Sequence, residues 1–324
     1  MKAIQLSKFG GPEVLEYTEI EKPSPGKNEV LIKVSGAGVN YADTMRRQDK
    51  YVIDTPLPFI PGSEVVGTVE DVGSSVTDIE PGSRVVALIG EGAYAEYVTA
   101  NARTLIPVPE TISNHEAVAL PLQGLSAYHI IKSMGRLQEG ETILVHAAAG
   151  GVGTIAVQLA RHFGAGKIIA TASTEVKRNL ALDMGADEVV DYTQADWPKK
   201  VMELTDGHGA DVALEMAGGK IFDQTLDCLA PFGRLVVYGA ASGELPKLSP
   251  FRLMEKNQAI IGFFLPQMMA KPELFQSSLK EIITLAAEGR LRLTVGGVYP
   301  LKEAGKVHED MENRRTSGKI VLEP

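Results

Sequence analysis

A glycine-rich turn that leads into a helical pattern carries the clearest chemistry in the sequence. Residues 146–165 read HAAAGGVGTIAVQLARHFGA. In the dinucleotide-binding fingerprint G-x-G-x-x-G, the glycines make a tight turn, let the backbone approach a pyrophosphate and allow a helix to pack closely on a strand. Ala148, Gly150 and Gly153 hold those places, so the first position departs from the strict pattern. The backbone N–H groups and the positive end of the helix dipole predict a phosphate site at this turn.

Two other kinds of site fit this region less well. An NTPase loop, G-x-x-x-x-G-K-[ST], would need glycine at Arg161 and Ser or Thr at Ile168. A doubly wound methyltransferase normally has an acid at the end of the second strand, where this chain has Ser173. The missing acid, with Lys177 and Arg178 just beyond, favours a dinucleotide that carries a 2′-phosphate, which is NADPH.

Three side chains near the ends of the second and third predicted strands could surround that phosphate. Ser173 would contribute a hydroxyl, Lys177 an ammonium group and Tyr192 a phenol. The carboxyl ends of parallel strands lie at one rim of a sheet, so we expect the three residues to share that rim.

The elements that must position these groups alternate regularly from residue 141 onward. Buried apolar runs predict six strands, and the amphipathic stretches between them predict crossover helices, an arrangement typical of a doubly wound parallel sheet. A further helix pattern covers 273–288. The predicted strands are 142–147, 167–172, 187–192, 211–216, 234–239 and 259–264, and the helices are 151–163, about 175–184, near 196–205 and near 220–229.

The first ~120 residues and the last ~30 read differently, because short strands there are separated by turn signals. The early strands are expected at 29–39, 64–73, 83–90 and 92–100, and the segments LTVGGVYP and KIVLEP predict strands near the C-terminus. We expect the C-terminal strands to rejoin the first domain, which would make that domain discontinuous.

Composition limits the partners. A chain of 324 residues exceeds the usual size of one hydrophobic core and predicts two domains. The net charge of -9 and the pI near 5.3 disfavour nucleic acid and membrane surfaces and leave a small molecule as the expected partner. The single cysteine, Cys228, excludes an intrachain disulfide, and the sequence contains no signal-peptide pattern or spanning apolar run. A cytoplasmic location is therefore expected.

Several short motifs are spread along the whole chain. They are GPEVLEY at 11–17, VNYADT at 39–44, PGSEVVGTVEDVG at 61–73, GAYAEYV at 92–98, LQGLSAY at 122–128, AAGGVG at 148–153 and SGKIVLEP at 317–324. With Gly140, Glu141, Leu144, Gln158 and Arg161, this set resembles the quinone oxidoreductase and zeta-crystallin group of the medium-chain dehydrogenase/reductase superfamily. The resemblance implies an α/β fold in which a Rossmann domain, 122–265, is inserted in a β-rich, GroES-like catalytic domain, 1–121 and 266–324.

The same resemblance bears on metal chemistry. Relatives that oxidise alcohols bind zinc through a cysteine, a histidine of a Gly-His-Glu motif and a second cysteine or acid. At the matching positions this chain has Asn40, Ser63 and an apolar stretch near Ala119, so no metal site is expected. Without a Lewis acid, the natural substrates are acceptors that spread negative charge themselves, such as quinones and α,β-unsaturated carbonyl compounds.

The resemblance also implies site residues. Asn40, Tyr51 and Asp43 are the candidate catalytic residues, and Met45 stands where the family has a further tyrosine, so no proton donor is assigned. The cofactor-binding positions implied are Asn40, Gly124, Ala149, Gly150, Gly151, Val152, Gly153, Ser173, Lys177, Tyr192, Gly239, Phe263 and Arg314.

Two alternatives to a quinone reductase remain open, along with one prediction about assembly. One is an enoyl-thioester reductase of the acrylyl- or crotonyl-CoA type, which would use the same cofactor. The other is a nucleotide-binding protein that has the same fold but no catalytic activity. The segment AIIGFF at 259–264 would leave an apolar sheet edge, which predicts a homodimer through the edges of the Rossmann sheets.

Overall fold

The computed structural model describes residues 1–244 and 246–324 and divides into two compact units. The first unit contains Met1–Leu122 and Leu293–Pro324, and the second contains Gln123–Arg292.

The N-terminal part of the first unit is mainly antiparallel β-structure. The long strand β3 is rich in β-branched residues and mostly buried, and it pairs antiparallel with β4, β6 and β15. The elements are β1 (Lys2–Gln5), β2 (Glu16–Glu19), β3 (Glu29–Val39), α1 (Tyr41–Arg47), β4 (Glu64–Val72), β5 (Arg84–Leu88), β6 (Tyr97–Asn101), β7 (Leu105–Pro107) and α2 (Asn114–Ala117), with short 3-10 turns at Pro12–Val14 and Ala102–Thr104.

The second unit alternates strands and helices. Its elements are α3 (Leu125–His129), β8 (Thr142–Val145), α4 (Gly151–His162), β9 (Lys167–Thr171), α5 (Glu175–Asp183), β10 (Glu188–Val190), α6 (Trp197–Leu204), β11 (Ala210–Glu215), α7 (Gly219–Asp227), β12 (Leu229–Val237), α8 (Phe251–Met254), β13 (Ala259–Gly262), α9 (Leu265–Met269) and α10 (Pro272–Ala287). Two π-helical segments, Leu120–Gly124 and Ile130–Met134, flank α3.

Within the described residues of the second unit, six strands form one parallel sheet in the order β10-β9-β8-β11-β12-β13. The order reverses at β8, which is the arrangement of a doubly wound Rossmann sheet and confirms the predicted fold class. One core cluster of this unit joins strand residues such as Leu144 and Leu235 to Trp197, the first residue of α6. The Trp197 indole N–H donates to Gln224 Oε1 at 3.1 Å, so the ring is both packed and hydrogen bonded.

The C-terminal residues return to the first unit through β14 (Val295–Pro300), α11 (Ala304–Glu312) and β15 (Lys319–Glu323), with a 3-10 turn at Leu301–Glu303. β15 pairs antiparallel with β3 and parallel with β14, so the last strand of the chain lies beside an early one. The sheet order is β14-β15-β3-β4-β5-β7, and β6 pairs with β3.

Residues 266–292, which the sequence assigned to the catalytic domain, lie in the second unit. The reason is the packing of α10 on α3: the Tyr128 hydroxyl donates to Glu281 Oε2 at 2.7 Å, and Ser278 Oγ lies 3.1 Å from His129 Nε2. Periodicity predicts the helix but does not say which element it covers. Within the described residues, no helix is both long and apolar enough to cross a bilayer.

Candidate functional site

The glycine-rich turn lies between β8 and α4 in the second unit, as the sequence predicts. Ala147 adopts a left-handed φ of 49°, and its carbonyl accepts the Gly150 N–H at 2.8 Å. A Cβ on Gly153 would lie 2.2 Å from that same carbonyl oxygen, so only glycine lets α4 pack this closely on the turn.

The start of α4 fits an anionic ligand. Gly150 is the N-cap, and no side chain of the described residues caps the helix. The first-turn amides of Gly151, Val152 and Gly153 are therefore donors that a phosphate could accept from, at the positive end of the helix. The buried Ala149 completes a turn with almost no side-chain bulk. The turn is thus compatible with the pyrophosphate of a dinucleotide.

The structure brings Ser173, Lys177 and Tyr192 to the predicted rim. Ser173 follows β9, Tyr192 follows β10, and these neighbouring parallel strands end at the same edge of the sheet. Lys177 lies in the first turn of α5, where its backbone N–H donates to the Thr174 hydroxyl at 3.3 Å. All three side chains are partly exposed, as a binding surface requires.

Other predicted cofactor positions also lie at the carboxyl edge of this sheet. Gly239 follows β12, and Phe263 follows β13 with its backbone N–H donating to Val237 O at 2.9 Å. Gly124 is buried directly before α3.

The turn after β11 is held by a residue that sequence reasoning missed. Glu215 Oε1 accepts the N–H of Ala217 at 2.7 Å and that of Gly218 at 3.0 Å. Burial of this carboxyl raises its pKa, although the two backbone hydrogen bonds oppose the shift. Glu215 therefore holds the chain between β11 and α7.

In the first unit, Asn40 is held at both ends of its side-chain amide. Its Nδ2 donates to Glu64 Oε1 at 2.8 Å, and its Oδ1 lies 3.3 Å from Lys319 Nζ. Lys319 forms a salt bridge with Glu64, and all three residues are buried. Asn40 also begins α1 in a capping box, because its backbone N–H donates to Asp43 Oδ2 at 2.8 Å.

A buried hydrogen-bonded chain continues from Asp43. The Tyr94 hydroxyl donates to Asp43 Oδ2 at 3.2 Å and lies 3.1 Å from His308 Nε2, while Arg47 Nη1 lies 3.4 Å from His308 Nδ1. A guanidinium only donates, so Nδ1 accepts and Nε2 carries the proton. Burial raises the pKa of Asp43 to about 6, and burial with the Arg47 charge lowers that of His308 to about 3. His308 is thus neutral at pH 7.

Tyr51 and Arg314 are the remaining predicted residues of the first unit. Tyr51 follows α1 and is partly buried; burial and, to a smaller extent, the charge of Asp43 raise its pKa. Arg314 follows α11 as an exposed residue with a left-handed φ of 58°. The structure thus groups Asn40 with Asp43 and places Arg314 just beyond α11. The roles of all these residues stay predictions.

Comparison with known proteins identifies the family. Residues 26–110 match the alcohol dehydrogenase GroES-like domain, and residues 151–286 match the zinc-binding dehydrogenase model. A quinone oxidoreductase of Pseudomonas aeruginosa is 37% identical, with 100% of this chain and 99% of that protein covered. The chain belongs to the quinone oxidoreductase group of the medium-chain dehydrogenase/reductase superfamily. The resemblance inferred from the motifs is therefore confirmed, as is its classification as an oxidoreductase.

Solved structures of quinone oxidoreductases and their relatives are closely similar to the fold of this chain. The Escherichia coli quinone oxidoreductase complexed with NADPH has a TM-score of 0.94 at 34% identity, and each chain is covered completely. A mycobacterial protein complexed with NADPH also has a TM-score of 0.94, at 40% identity and complete coverage of both chains.

The three positions that match the zinc ligands of other family members do not fit a metal ion here. The Asn40 amide is hydrogen bonded to Glu64 and Lys319, and the Ser63 hydroxyl donates to Gly90 O at 3.2 Å. Ala119, in the apolar stretch at the third position, is buried and offers only a methyl group. None of the three offers an anionic or imidazole ligand. Among the described residues, no cluster of three His, Cys, Asp or Glu side chains could hold a metal.

Sequence reasoning missed the residues that hold Asn40 and Asp43 in place. Glu64 and Lys319 lie within the motifs PGSEVVGTVEDVG and SGKIVLEP, and each is a charged residue beside an apolar strand pattern. Such a charge indicates burial with a partner, although not which partner. Tyr94 and His308 carried no comparable signal, because their contacts join segments that are distant in the chain.

The depressed pKa of His308 predicts that this residue destabilises the fold in acid, opposite in sign to Asp43, whose pKa is raised to about 6. Because its folded pKa lies below the ordinary value of 6.5, the unfolded chain binds a proton first, and stability is lost as pH falls below about 6.5. Between pH 7 and pH 5 the parent should lose about 2 kcal/mol more unfolding free energy than His308→Gln. Urea unfolding followed by circular dichroism at both pH values measures this difference.

The exposed, non-titrating Val176 provides the control. Val176→Gln should lose as much stability as the parent between the two pH values. An equal loss in the parent and in His308→Gln would show that His308 does not titrate as its burial predicts.

Proposed function

We propose that this protein is a zinc-free, NADPH-dependent reductase of quinones or related α,β-unsaturated carbonyl compounds. The observation that carries the proposal is the position of Asn40, where zinc-binding members of the superfamily have a metal ligand. A neutral amide occupies it, fixed between the buried charges of Glu64 and Lys319. Such a site can donate hydrogen bonds but cannot supply a Lewis acid.

NADPH is proposed as the cofactor because two structurally similar proteins are complexed with it and because the rim carries no acid directly after β9. When bound, it supplies the hydride. The amides of Gly151, Val152 and Gly153 would hold the pyrophosphate. Ser173, Lys177 and Tyr192 would bind the 2′-phosphate, and Gly124, Gly239, Phe263 and Arg314 would contribute further contacts.

On the substrate side, Asn40 and Tyr51 would orient the acceptor through hydrogen bonds. Asp43 would act mainly through Asn40, because its carboxylate accepts the Asn40 backbone N–H inside the capping box. A quinone or an enone delocalises the charge that hydride addition creates, so oriented donors suffice where a simple ketone would need a metal.

A direct assay tests this function. Absorbance of NADPH at 340 nm should fall in the presence of a quinone or an enone, and it should fall equally fast after exhaustive treatment with a chelator. Turnover of crotonyl-CoA alone would instead favour an enoyl-thioester reductase. Absence of turnover with all three acceptors would favour a nucleotide-binding protein, and stoichiometric zinc in active protein would contradict the metal-free site.

Lys177→Ala tests the cofactor site. A hydrogen bond to a charged group is worth roughly 1.5–3 kcal/mol, so loss of the ammonium should weaken NADPH binding about ten- to hundredfold. Binding of NADH should change less than about twofold. Dissociation constants from quenching of Trp197 fluorescence or from calorimetry measure both effects.

Lys199 in α6 is a suitable control because it is exposed and its nearest charged partner is Glu203, at 3.8 Å. Lys199→Ala should leave both dissociation constants unchanged. Equal losses for NADH and NADPH in Lys177→Ala, or a parent that prefers NADH, would contradict the assignment.

We also propose a homodimer through the edges of the Rossmann sheets. β13 is the outer strand of the sheet, and Phe251 and Met254 on the adjoining α8 are 80% and 67% exposed. An open strand edge beside exposed apolar side chains favours association with a second copy. Sedimentation should give twice the chain mass of 34.7 kDa for the parent.

Phe251→Asp should shift the protein toward the monomer, whereas the control Tyr17→Asp, at an exposed residue of β2, should not. A parent that stays monomeric at micromolar concentration would overturn the dimer.

A further inference from the structure

An arginine joins the three chain segments that carry the proposed 2′-phosphate ligands. Arg178 Nη1 donates to the carbonyl of Ala172 at 3.3 Å and lies 3.1 Å from Asp191 Oδ2. Ala172 directly precedes Ser173, Arg178 directly follows Lys177, and Asp191 directly precedes Tyr192. Each proposed phosphate ligand is thus adjacent in sequence to one of the three residues Ala172, Arg178 and Asp191.

Asp191 places a negative charge at the rim. Its Oδ1 accepts the Thr193 hydroxyl at 2.7 Å and the Thr193 backbone N–H at 3.0 Å. The Thr193 hydroxyl, then its backbone N–H, then the Arg178 charge lower the pKa of Asp191, which is ionised at neutral pH. Asp191 follows the third strand of the unit, not the second, where an NAD site has its acid, but a carboxylate at this rim repels a phosphate that carries nearly two negative charges.

We propose that Arg178 is a positioning residue that sets the preference for NADPH by neutralising Asp191 and tying the ends of β9 and β10 to α5. The inference rests on the proposed function and deepens it. In this proposal Arg178 acts through Asp191: its Nη1 is engaged by both the Asp191 carboxylate and the Ala172 carbonyl. The phosphate itself is bound by Ser173, Lys177 and Tyr192.

The same unit contains a comparable salt bridge, between Arg161 and Asp187, at the opposite end of β10. Arg161 Nη2 lies 2.5 and 2.6 Å from the two carboxylate oxygens of Asp187, and Arg161 Nη1 donates to Ala165 O at 3.0 Å. Asp187 precedes β10, whereas Asp191 follows it. Both bridges join an arginine to one aspartate and one carbonyl, so Arg161→Gln controls for the general effect of breaking such a bridge.

The experiment measures calorimetric dissociation constants for adenosine 2′,5′-bisphosphate and 5′-AMP, and for NADPH and NADH, with the full-length protein. Arg178→Gln should weaken the bisphosphate and NADPH about tenfold, the size expected for one uncompensated charge acting on a phosphate dianion near solvent. The binding of 5′-AMP and NADH should change less than about twofold, as should all four constants in Arg161→Gln.

The double variant Arg178→Gln/Asp191→Asn separates neutralisation from direct contact. Removal of the carboxylate should restore bisphosphate affinity to within about threefold of the parent, and Asp191→Asn alone should bind at least as tightly as the parent. Because the effect is electrostatic, the loss in Arg178→Gln should shrink as salt rises from about 0.05 to 0.5 M.

Three results would overturn the inference: a double variant as weak as Arg178→Gln, equal losses for 5′-AMP and the bisphosphate, or unchanged constants in Arg178→Gln. These outcomes are distinguishable from failure of the proposed function, which Lys177→Ala reports. If Lys177→Ala weakens NADPH more than NADH and Arg178→Gln does not, the proposed phosphate site is supported and the proposed role of Arg178 is wrong.

Discussion

The geometry of the first unit depends on one buried ion pair, between Lys319 in β15 and Glu64 in β4. A single charge in this position would be costly to bury, whereas a paired and hydrogen-bonded one is tolerated. Glu64 also accepts the Leu122 backbone N–H at 2.9 Å, so each of its oxygens has a partner. The pair joins the last strand of the chain to an early one and fixes both ends of the Asn40 amide. The orientation of Asn40 is therefore set by a lysine 279 positions later in the sequence.

The second unit gathers its polar groups in a different way, through topology. Its strands are parallel, so the turns that follow them lie along one edge whatever their spacing in sequence. Binding of a dinucleotide at that edge requires free backbone donors and few unpaired negative charges. Residues close in sequence to each turn meet these requirements. Gly153 lets α4 approach the turn after β8, Glu215 holds the turn after β11, and Arg178 balances the acid after β10. Gly153 lies within the proposed pyrophosphate turn, and Arg178 is adjacent in sequence to Lys177, whereas Glu215 acts on the neighbouring turn after β11.

Elements with local causes could be predicted from the sequence. The helix expected at 151–163 is observed at Gly151–His162, because an apolar period and a glycine turn are both properties of adjacent residues. The doubly wound parallel arrangement of the sheet could be predicted from the alternation of strands and helices. Long-range pairs could not be predicted in the same way. The residues around Lys319 do not indicate that Glu64 is its partner, and those around Tyr94 do not indicate His308. The packing of α10 on α3 was also hidden, because a helical period defines an apolar face without defining what covers that face.

The ion pair also bears on the chemistry proposed for the first unit. A divalent cation beside Asn40 would have to lie near the Lys319 ammonium, and it would draw on a carboxylate that this ammonium already neutralises. Metal binding would therefore break the buried pair and leave a lysine charge without its partner. The same contacts hold the amide rigidly, since rotating it would exchange its oxygen and nitrogen and place the nitrogen against the ammonium. A fixed hydrogen-bond donor of this kind costs little reorganisation during the reaction, and it suits acceptors whose conjugation already spreads the developing charge.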